Sequence, residues 1–380
     1  MALKKIRLEN FKSFEDVELP LSNLNILAGG NSVGKSSVIQ ALLLYKQNDR
    51  ELLYTETAPS GRGIVKRFQT NGDDVRVGDE DDLLYSGAED DSYKITLCSN
   101  VFTSELTYCK NVGWEIFFPK EVGIDDRAQA TDIYDLVYHL STIRHISSNR
   151  IGPAITYELS KLDIENNSLG NNGEYTAHYL SVNNHKELPI KKLAHEKSVT
   201  NYLLENVSHW MAEISENIYV NAKVINEAQK AAITYEYSHG FIKTSEIVPL
   251  NVGYGITHVL PIITQLLIAK PNDILILENP EAQLHPKAQA KVAKLIALAA
   301  ANNVQIILET HSDHILNGIR VATKQGLLSS DQTNLFFFKR ETGHLDVAKT
   351  QVKILEDGSL DNWPEGMFDE WDNQLDQLLW

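Results

Sequence analysis

Gly29-Gly30-Asn31-Ser32-Val33-Gly34-Lys35-Ser36 fits the spacing G-x-x-x-x-G-K-[ST], and its flanks give that pattern a setting. The apolar run Leu24-Asn25-Ile26-Leu27-Ala28 before it reads as a strand, and Ser36 to Tyr45 after it carries helical periodicity. In a strand, loop, helix arrangement the glycines let the backbone curl so that successive N–H groups point inward, and the helix N-terminus adds partial positive charge. Such a cradle suits phosphate oxygens. Lys35 is the residue to bridge the β- and γ-phosphates of ATP, and the Ser36 hydroxyl is the Mg2+ ligand. Asn31, Ser32, Val33 and Ser37 complete the nucleotide-binding set with Gly29, Gly30 and Gly34.

A second constellation lies about 240 residues on. Asp273-Ile274-Leu275-Ile276-Leu277-Glu278-Asn279-Pro280-Glu281 is an apolar strand ending in carboxylates, followed by Leu284-His285-Pro286. Nucleotide hydrolases use such a carboxylate to hold the hydration shell of Mg2+, the role expected of Glu278. Ile306-Ile307-Leu308-Glu309-Thr310-His311-Ser312 is a further apolar strand ending in a polar group, so three strand ends converge at one edge of a parallel sheet. In that setting His311 reads as a γ-phosphate sensor, where an isolated histidine would read as a core or capping residue. A metal pair with His314 lacks further ligands.

Bulk properties fit a folded globular protein of 380 residues, 43% hydrophobic and 23% charged. No apolar run of about 18 residues occurs, and Met1-Ala2-Leu3-Lys4-Lys5-Ile6-Arg7 turns polar at Glu9-Asn10, so a cytoplasmic location without membrane attachment is expected. Cys98 and Cys109 lack metal-ligand spacing and read as reduced. The formal charge of −16 opposes counterion release from DNA over most of the surface and points to protein partners. A local basic groove around Lys186, Lys191, Lys192 and Lys197 is the alternative to plain solvated lysines.

Elsewhere, residues 3 to 8 read as a strand, 50 to 90 as polar loops with the acidic run Asp79-Glu80-Asp81-Asp82, and Tyr93–Leu97, Glu105–Tyr108 and Trp114–Phe118 as an antiparallel meander. Helical periodicity marks about 128 to 146, 198 to 215 and 287 to 301. No internal repeat or sustained heptad run occurs, which excludes a long coiled coil.

Together with the phosphate loop, Leu8-Glu9-Asn10-Phe11-Lys12-Ser13-Phe14 and the Glu-x-Pro-Glu-x-x-Leu-His-Pro and Glu-Thr-His-Ser segments resemble the RecF, SMC and OLD-like branch of ABC ATPases. The tail Trp363-Pro364-Glu365-Gly366-Met367-Phe368-Asp369 resembles that of a prokaryotic family, many of whose members accompany nucleases in anti-phage defence loci. Read as plain sequence, it is an amphipathic end docked on a surface. The resemblance implies that Lys12 lies near the nucleotide. It also implies that Asn251-Val252-Gly253-Tyr254-Gly255-Ile256-Thr257-His258 is the signature segment, with Gly253, Tyr254 and Gly255 completing the site of the opposite subunit. Gly253 stands where the wider signature has serine, and Thr257-His258 where relatives often have Ser-Gln. Ser148 to Pro153 resembles the segment between lobes, without a Q-loop glutamine.

The expected fold is α/β, an ABC-type P-loop ATPase domain with an antiparallel β arm and a helical insert. Its expected divisions are an N-terminal ATPase lobe over 1–125, an insert over 126–250, a C-terminal ATPase lobe over 251–340 and a tail over 341–380. The function implied is an ATPase that dimerises, or forms a higher homo-oligomer, head to tail around Mg-ATP and regulates a separate effector such as a nuclease in phage defence. A RecF-like DNA repair clamp is the alternative, and a transporter-energising subunit ranks below both. Where relatives carry a catalytic Glu, this chain has Asn279, which cannot accept the proton of attacking water. Either Glu281 takes that function, or Asn279 positions the water and hydrolysis is slow.

Overall fold

The computed structural model describes residues 3–58, 60–119, 127–239 and 242–379. Its strands in chain order begin with β1 (Leu3–Phe11), β2 (Phe14–Pro20), β3 (Leu24–Gly29), β4 (Arg62–Val65), β5 (Ser92–Ser99), β6 (Thr103–Cys109) and β7 (Gly113–Phe117). There follow β8 (Ile143–Ile146), β9 (Ile218–Ile225), β10 (Lys230–His239), β11 (Ile242–Lys243), β12 (Ile274–Glu278), β13 (Gln305–Glu309), β14 (Thr333–Arg340) and β15 (Val347–Val352). The helices are α1 (Lys35–Gln47), α2 (Asp49–Leu53), α3 (Arg127–Ser141), α4 (Lys161–Glu165), α5 (Thr176–Asn183) and α6 (Leu203–Ile214). The last four are α7 (Tyr254–Ile268), α8 (Pro286–Ala301), α9 (Asp313–Lys324) and α10 (Glu370–Leu379). None is long and apolar enough to cross a membrane among the described residues.

Two compact units emerge, one of 1–143, 333–353 and 361–380, the other of 144–332 and 354–360. In the first, β2-β1-β5-β6-β7-β4 form an antiparallel sheet. Alternation drives it: Ile6 and Leu8 of β1 and Tyr93, Ile95 and Leu97 of β5 are buried while Lys5, Arg7, Lys94 and Cys98 between or beside them are part-exposed, Thr96 being the buried exception. The same unit pairs β3 with β14 in parallel and β14 with β15 antiparallel. Phe336 and Phe338 of β14 are fully buried, and the Phe338 ring lies 5.8 Å from that of Phe14.

In the second unit β12 and β13 run parallel, with Glu278 opposite Glu309 at their C-terminal ends. Ile274 to Leu277 and Ile306 to Leu308 are buried without alternation, as strands covered on both faces require. A separate antiparallel sheet, β11-β10-β9, completes this unit. The Leu-His-Pro segment is a helix start: the His285 side chain accepts from the Lys287 N–H at 3.3 Å, and Pro286 takes the first helical position of α8.

Three local expectations are corrected. Helical periodicity over 128–146 ends at Ser141, and β8 takes the last four positions. The stretch from 50 to 90, read as loops, contains α2, β4 and a 3-10 turn over Glu80–Leu83 in which Asp79 and Asp82 cap each other's backbone. The antiparallel sheet is wider than the meander read from sequence, because β1, β2 and β4 join it.

Truncating Phe338 would remove a fully buried ring beneath the phosphate loop, and Phe338→Ala is expected to cost about 3–5 kcal/mol. A lowered midpoint in chemical unfolding checks it, and an unchanged midpoint contradicts this packing.

Candidate nucleotide site

The phosphate loop and Lys12 belong to the first unit; Glu278, Asn279, Glu281, His311 and the 253–255 segment belong to the second. Gly29 ends β3 at φ +139°, and a Cβ there would sit 2.3 Å from the Phe338 carbonyl oxygen. Gly34, at φ +86°, precedes α1, and its Cβ would fall 2.5 Å from the Phe14 ring. Only glycine meets both demands, left-handed backbone and no side chain. Ser32 is also left-handed, at φ +60°. The loop thus curls between β3 and α1 with Gly30, Asn31, Ser32 and Ser36 exposed, while Lys35 and Ser37 are buried.

The Lys35 ammonium donates to the carbonyls of Gly29 at 3.0 Å and Gly30 at 2.5 Å, so its charge stands inside the loop it closes. Phosphate oxygens fit that cradle in charge and in space. Phe11-Lys12-Ser13-Phe14 forms the β1–β2 turn, which explains its place beside the loop: Phe14 supplies the surface on which Gly34 rests. The Lys12 ammonium donates to Gln40 of α1 at 2.7 Å, and burial lowers its pKa.

At the end of β12 both Glu278 oxygens are engaged, one with the His145 ring Nε2 at 2.8 Å and the other accepting from the Ser148 N–H at 3.0 Å. Burial works to raise the Glu278 pKa, but these hydrogen bonds outweigh it and hold the group below its usual range. An ionised carboxylate whose oxygens retain lone pairs fits a water of a Mg2+ hydration shell. Arg150 fixes the turn that follows. It donates to the carbonyls of Glu278 at 2.7 Å, Asn279 at 2.8 Å and Ser147 at 2.8 Å, and its other terminal nitrogen lies 3.2 Å from His258 Nδ1. Burial lowers the Arg150 pKa to about 10, with Glu281 and Glu278 acting against that fall.

Asn279 takes φ +44°, a conformation asparagine tolerates better than most side chains, and its buried Oδ1 has no hydrogen-bond partner. Glu281 accepts from the His311 N–H at 2.7 Å through one oxygen, while its buried Oε2 makes no hydrogen bond of good geometry among the described residues. Burial raises its pKa above the ordinary carboxylate range, against the His311 N–H, the nearby Thr310 hydroxyl and the charge of Arg150. The His311 ring itself is exposed, and Ser312 caps α9 through the Ile315 N–H at 3.1 Å.

The 253–255 segment opens α7. Gly253 and Tyr254 are exposed, and a Cβ at Gly253 would meet nothing within 4 Å. Gly255 differs: its Cβ would lie 2.3 Å from the Gln283 carbonyl oxygen of the same chain, so the missing side chain there serves the chain's own packing. His145 and the buried Arg150–His258 pair were not assigned from sequence. Nothing local announces His145, which meets Glu278 across 133 positions.

With this geometry in place, the chain's relatives can be named. Residues 1–237 and 203–316 match the AAA_15 family, AAA ATPase domain, and residues 328–378 match DUF3696, a family described as of unknown function. The chain belongs to the AAA ATPase domain family. It is 36% identical over 81 residues to the DNA double-strand break repair Rad50 ATPase of Sulfolobus acidocaldarius, spanning 19% of this chain and 9% of that relative's length.

Its fold is similar to the Smc head bound to the C-winged helix domain of ScpA, with TM-score 0.56 and 14% identity, covering 93% of this chain and 98% of that one. It is also similar to the Smc head domain with an extended coiled coil bound to the C-terminal domain of ScpA derived from Pyrococcus furiosus, with TM-score 0.52, 11% identity and full coverage of both chains. The expected α/β architecture of an SMC-head-like ABC P-loop ATPase therefore holds, without a long coiled coil among the described residues.

Burial, and then the neighbouring Arg150, lowers the His258 pKa from 6.5 to about 4. The folded chain keeps this ring neutral where the unfolded chain protonates it, so the stability it contributes is full above pH 6.5 and lost as pH falls toward 4. Unfolding curves of the wild type and His258→Asn should differ in slope across that window, and equal slopes contradict the assignment. Gly255→Val should disturb the fold while Gly253→Val should not; circular dichroism and melting of the two variants check this contrast.

Proposed function

We propose that this chain is an ATP-hydrolysing switch in which two copies close head to tail around Mg-ATP. The observation that carries the hydrolytic reading is Glu281: a half-buried carboxyl with raised proton affinity, one oxygen held by a backbone N–H and the other buried without a well-formed hydrogen bond among the described residues. In this reading Glu281 takes a proton from water as that water's oxygen bonds to the γ-phosphorus. The bond from phosphorus to the β–γ bridging oxygen breaks, and ADP and phosphate leave. Gly29, Gly30, Asn31, Ser32, Val33, Gly34, Ser36 and Ser37 bind the phosphates with Lys35, and Lys12 stands beside them. Ser36 and, through water, Glu278 would hold Mg2+, which would supply charge neutralisation of the phosphates. His311 senses the γ-phosphate.

Gly253, Tyr254 and Gly255 act in trans on the second copy. The exposed α7 N-terminus, with open space around Gly253, supports that role through the partial positive charge of a helix start. Asn279, next to Glu278, cannot act as a base, so proton transfer in this reading rests on Glu281 alone, and slow turnover is part of the proposal. A long-lived closed pair suits a sensor that restrains an effector such as a nuclease in the cytoplasm, in anti-phage defence. The −16 charge favours a protein partner over duplex DNA as the object of the clamp.

Lys35→Ala should abolish ATP binding by calorimetry while the melting curve still reports a folded chain; unchanged affinity overturns the assignment. Gly253→Arg should leave nucleotide binding by the single copy intact and block the doubling of mass that Mg-ATP produces in the wild type, and normal pairing by that variant removes the trans role.

A further inference from the structure

Two surfaces away from the nucleotide residues complement each other. The first is α10. Its root is fixed: Met367 is fully buried, the Gly366 N–H donates to Asp369 at 2.7 Å, and the Lys339 ammonium donates to the Glu365 carbonyl at 3.2 Å. Beyond that root the helix has no cover. Trp371, Leu375 and Leu378, spaced i, i+4, i+7 and so on one face, are exposed, Leu378 at 81%. A ten-residue helix is marginal alone in water, so an apolar stripe left open on one calls for a partner. Glu370, Asp372 and Asp376 give α10 three acidic residues, with no Lys or Arg.

The second is the groove between α8 and α9. Gly318 lets the helices close together, since a Cβ there would lie 2.6 Å from that of Ala293. Beside this contact a cavity of about 380 Å3 is floored by Ala290, Val321 and Ala322 and rimmed by Lys291, Lys294 and His314. α8 carries Lys287, Lys291 and Lys294, again at i, i+4, i+7, and no acidic residue. Lys294 makes no ion pair among the described residues. Lys291 is paired with Glu213 at 2.6 Å and Lys287 with Glu216 at 3.2 Å, so Lys294 is the cation this rim leaves for an incoming carboxylate, and α10 carries carboxylates and no cation.

We propose that α10 of one copy docks in the α8–α9 groove of a second copy, and reciprocally. Trp371, Leu375 and Leu378 cover the apolar floor, and Asp376 of α10 meets Lys294 of α8. One such contact is small and belongs with weak interfaces below about 1,200 Å2. A two-fold pair makes it twice, and the second contact then forms within one assembly. The pairing involves neither the phosphate loop nor the 253–255 segment and needs no nucleotide, so its failure leaves the ATP switch untouched.

The test is sedimentation equilibrium of the full chain without nucleotide, up to about 100 µM, where weak contacts of this class populate. The wild type should reach the mass of two chains. Lys294→Glu and Asp376→Lys, each at an exposed or half-exposed side chain, should each weaken self-association at least about tenfold by placing like charges in both contacts. Mixed in equal amounts, the two variants should restore it, because every contact in the mixed pair then joins opposite charges. A wild type that stays at the mass of one chain overturns the proposal. So does association undiminished in both variants, or a mixture that fails to recover.

Discussion

Arg150 is the constraint on which the second unit's chemistry depends. Its guanidinium is buried and distributes its hydrogen bonds over the carbonyls of Ser147, Glu278 and Asn279, with His258 beside it. A buried cation is costly unless paired, and removing one partner from such a group typically costs about 3–5 kcal/mol. Here three carbonyls and two nearby carboxylates meet the charge, so Arg150 adds a side-chain anchor to a turn after β12 whose backbone is also held by the Asn279 N–H on the Glu309 carbonyl at 2.9 Å. The left-handed Asn279 that follows, and the placement of Glu281 against the His311 N–H, are consequences of that fixed turn. His258 is kept neutral first by its burial and then by Arg150, beside which a second positive charge is unfavourable.

In the first unit the corresponding constraint is steric. Gly29 and Gly34 rest against the Phe338 carbonyl and the Phe14 ring, so the phosphate loop is shaped by the β1–β2 turn and by β14 as much as by its own glycines. Lys35, held on two loop carbonyls, is positioned before any phosphate arrives. Neither half of the machinery asks for rearrangement within its own unit to present its charged groups.

What the sequence made legible is what local pattern encodes. Glycine spacing after an apolar strand identified the phosphate loop, and unalternating apolar runs identified β12 and β13, because such runs mark strands covered on both faces. Other features escaped for physical reasons. His145 sits on a four-residue strand that continues the periodicity of α3, so the helix reading ran through it. Arg150 lay in a quoted segment, but a cation buried on backbone carbonyls leaves no motif. Gly255 carried the same symbol as Gly253, and only the 2.3 Å approach of the Gln283 carbonyl separates a packing glycine from an open one. β14 is visible in the sequence as the apolar run Leu335-Phe336-Phe337-Phe338, all buried, whereas β15 buries only its end residues Val347 and Val352 and carries no such run.

The central claim is that Glu281, not Asn279, activates water. Both side chains hold a buried oxygen without a well-formed hydrogen bond among the described residues, but only Glu281 is a carboxyl that can take a proton, whereas the left-handed backbone of Asn279 favours an asparagine on conformational grounds. Single-turnover ATP hydrolysis by the wild type, Glu281→Gln and Asn279→Glu decides between them. The account expects Glu281→Gln to keep Mg-ATP affinity and lose about 10²- to 10⁴-fold in rate, with no gain from Asn279→Glu. An accelerated Asn279→Glu beside an unaffected Glu281→Gln would contradict it.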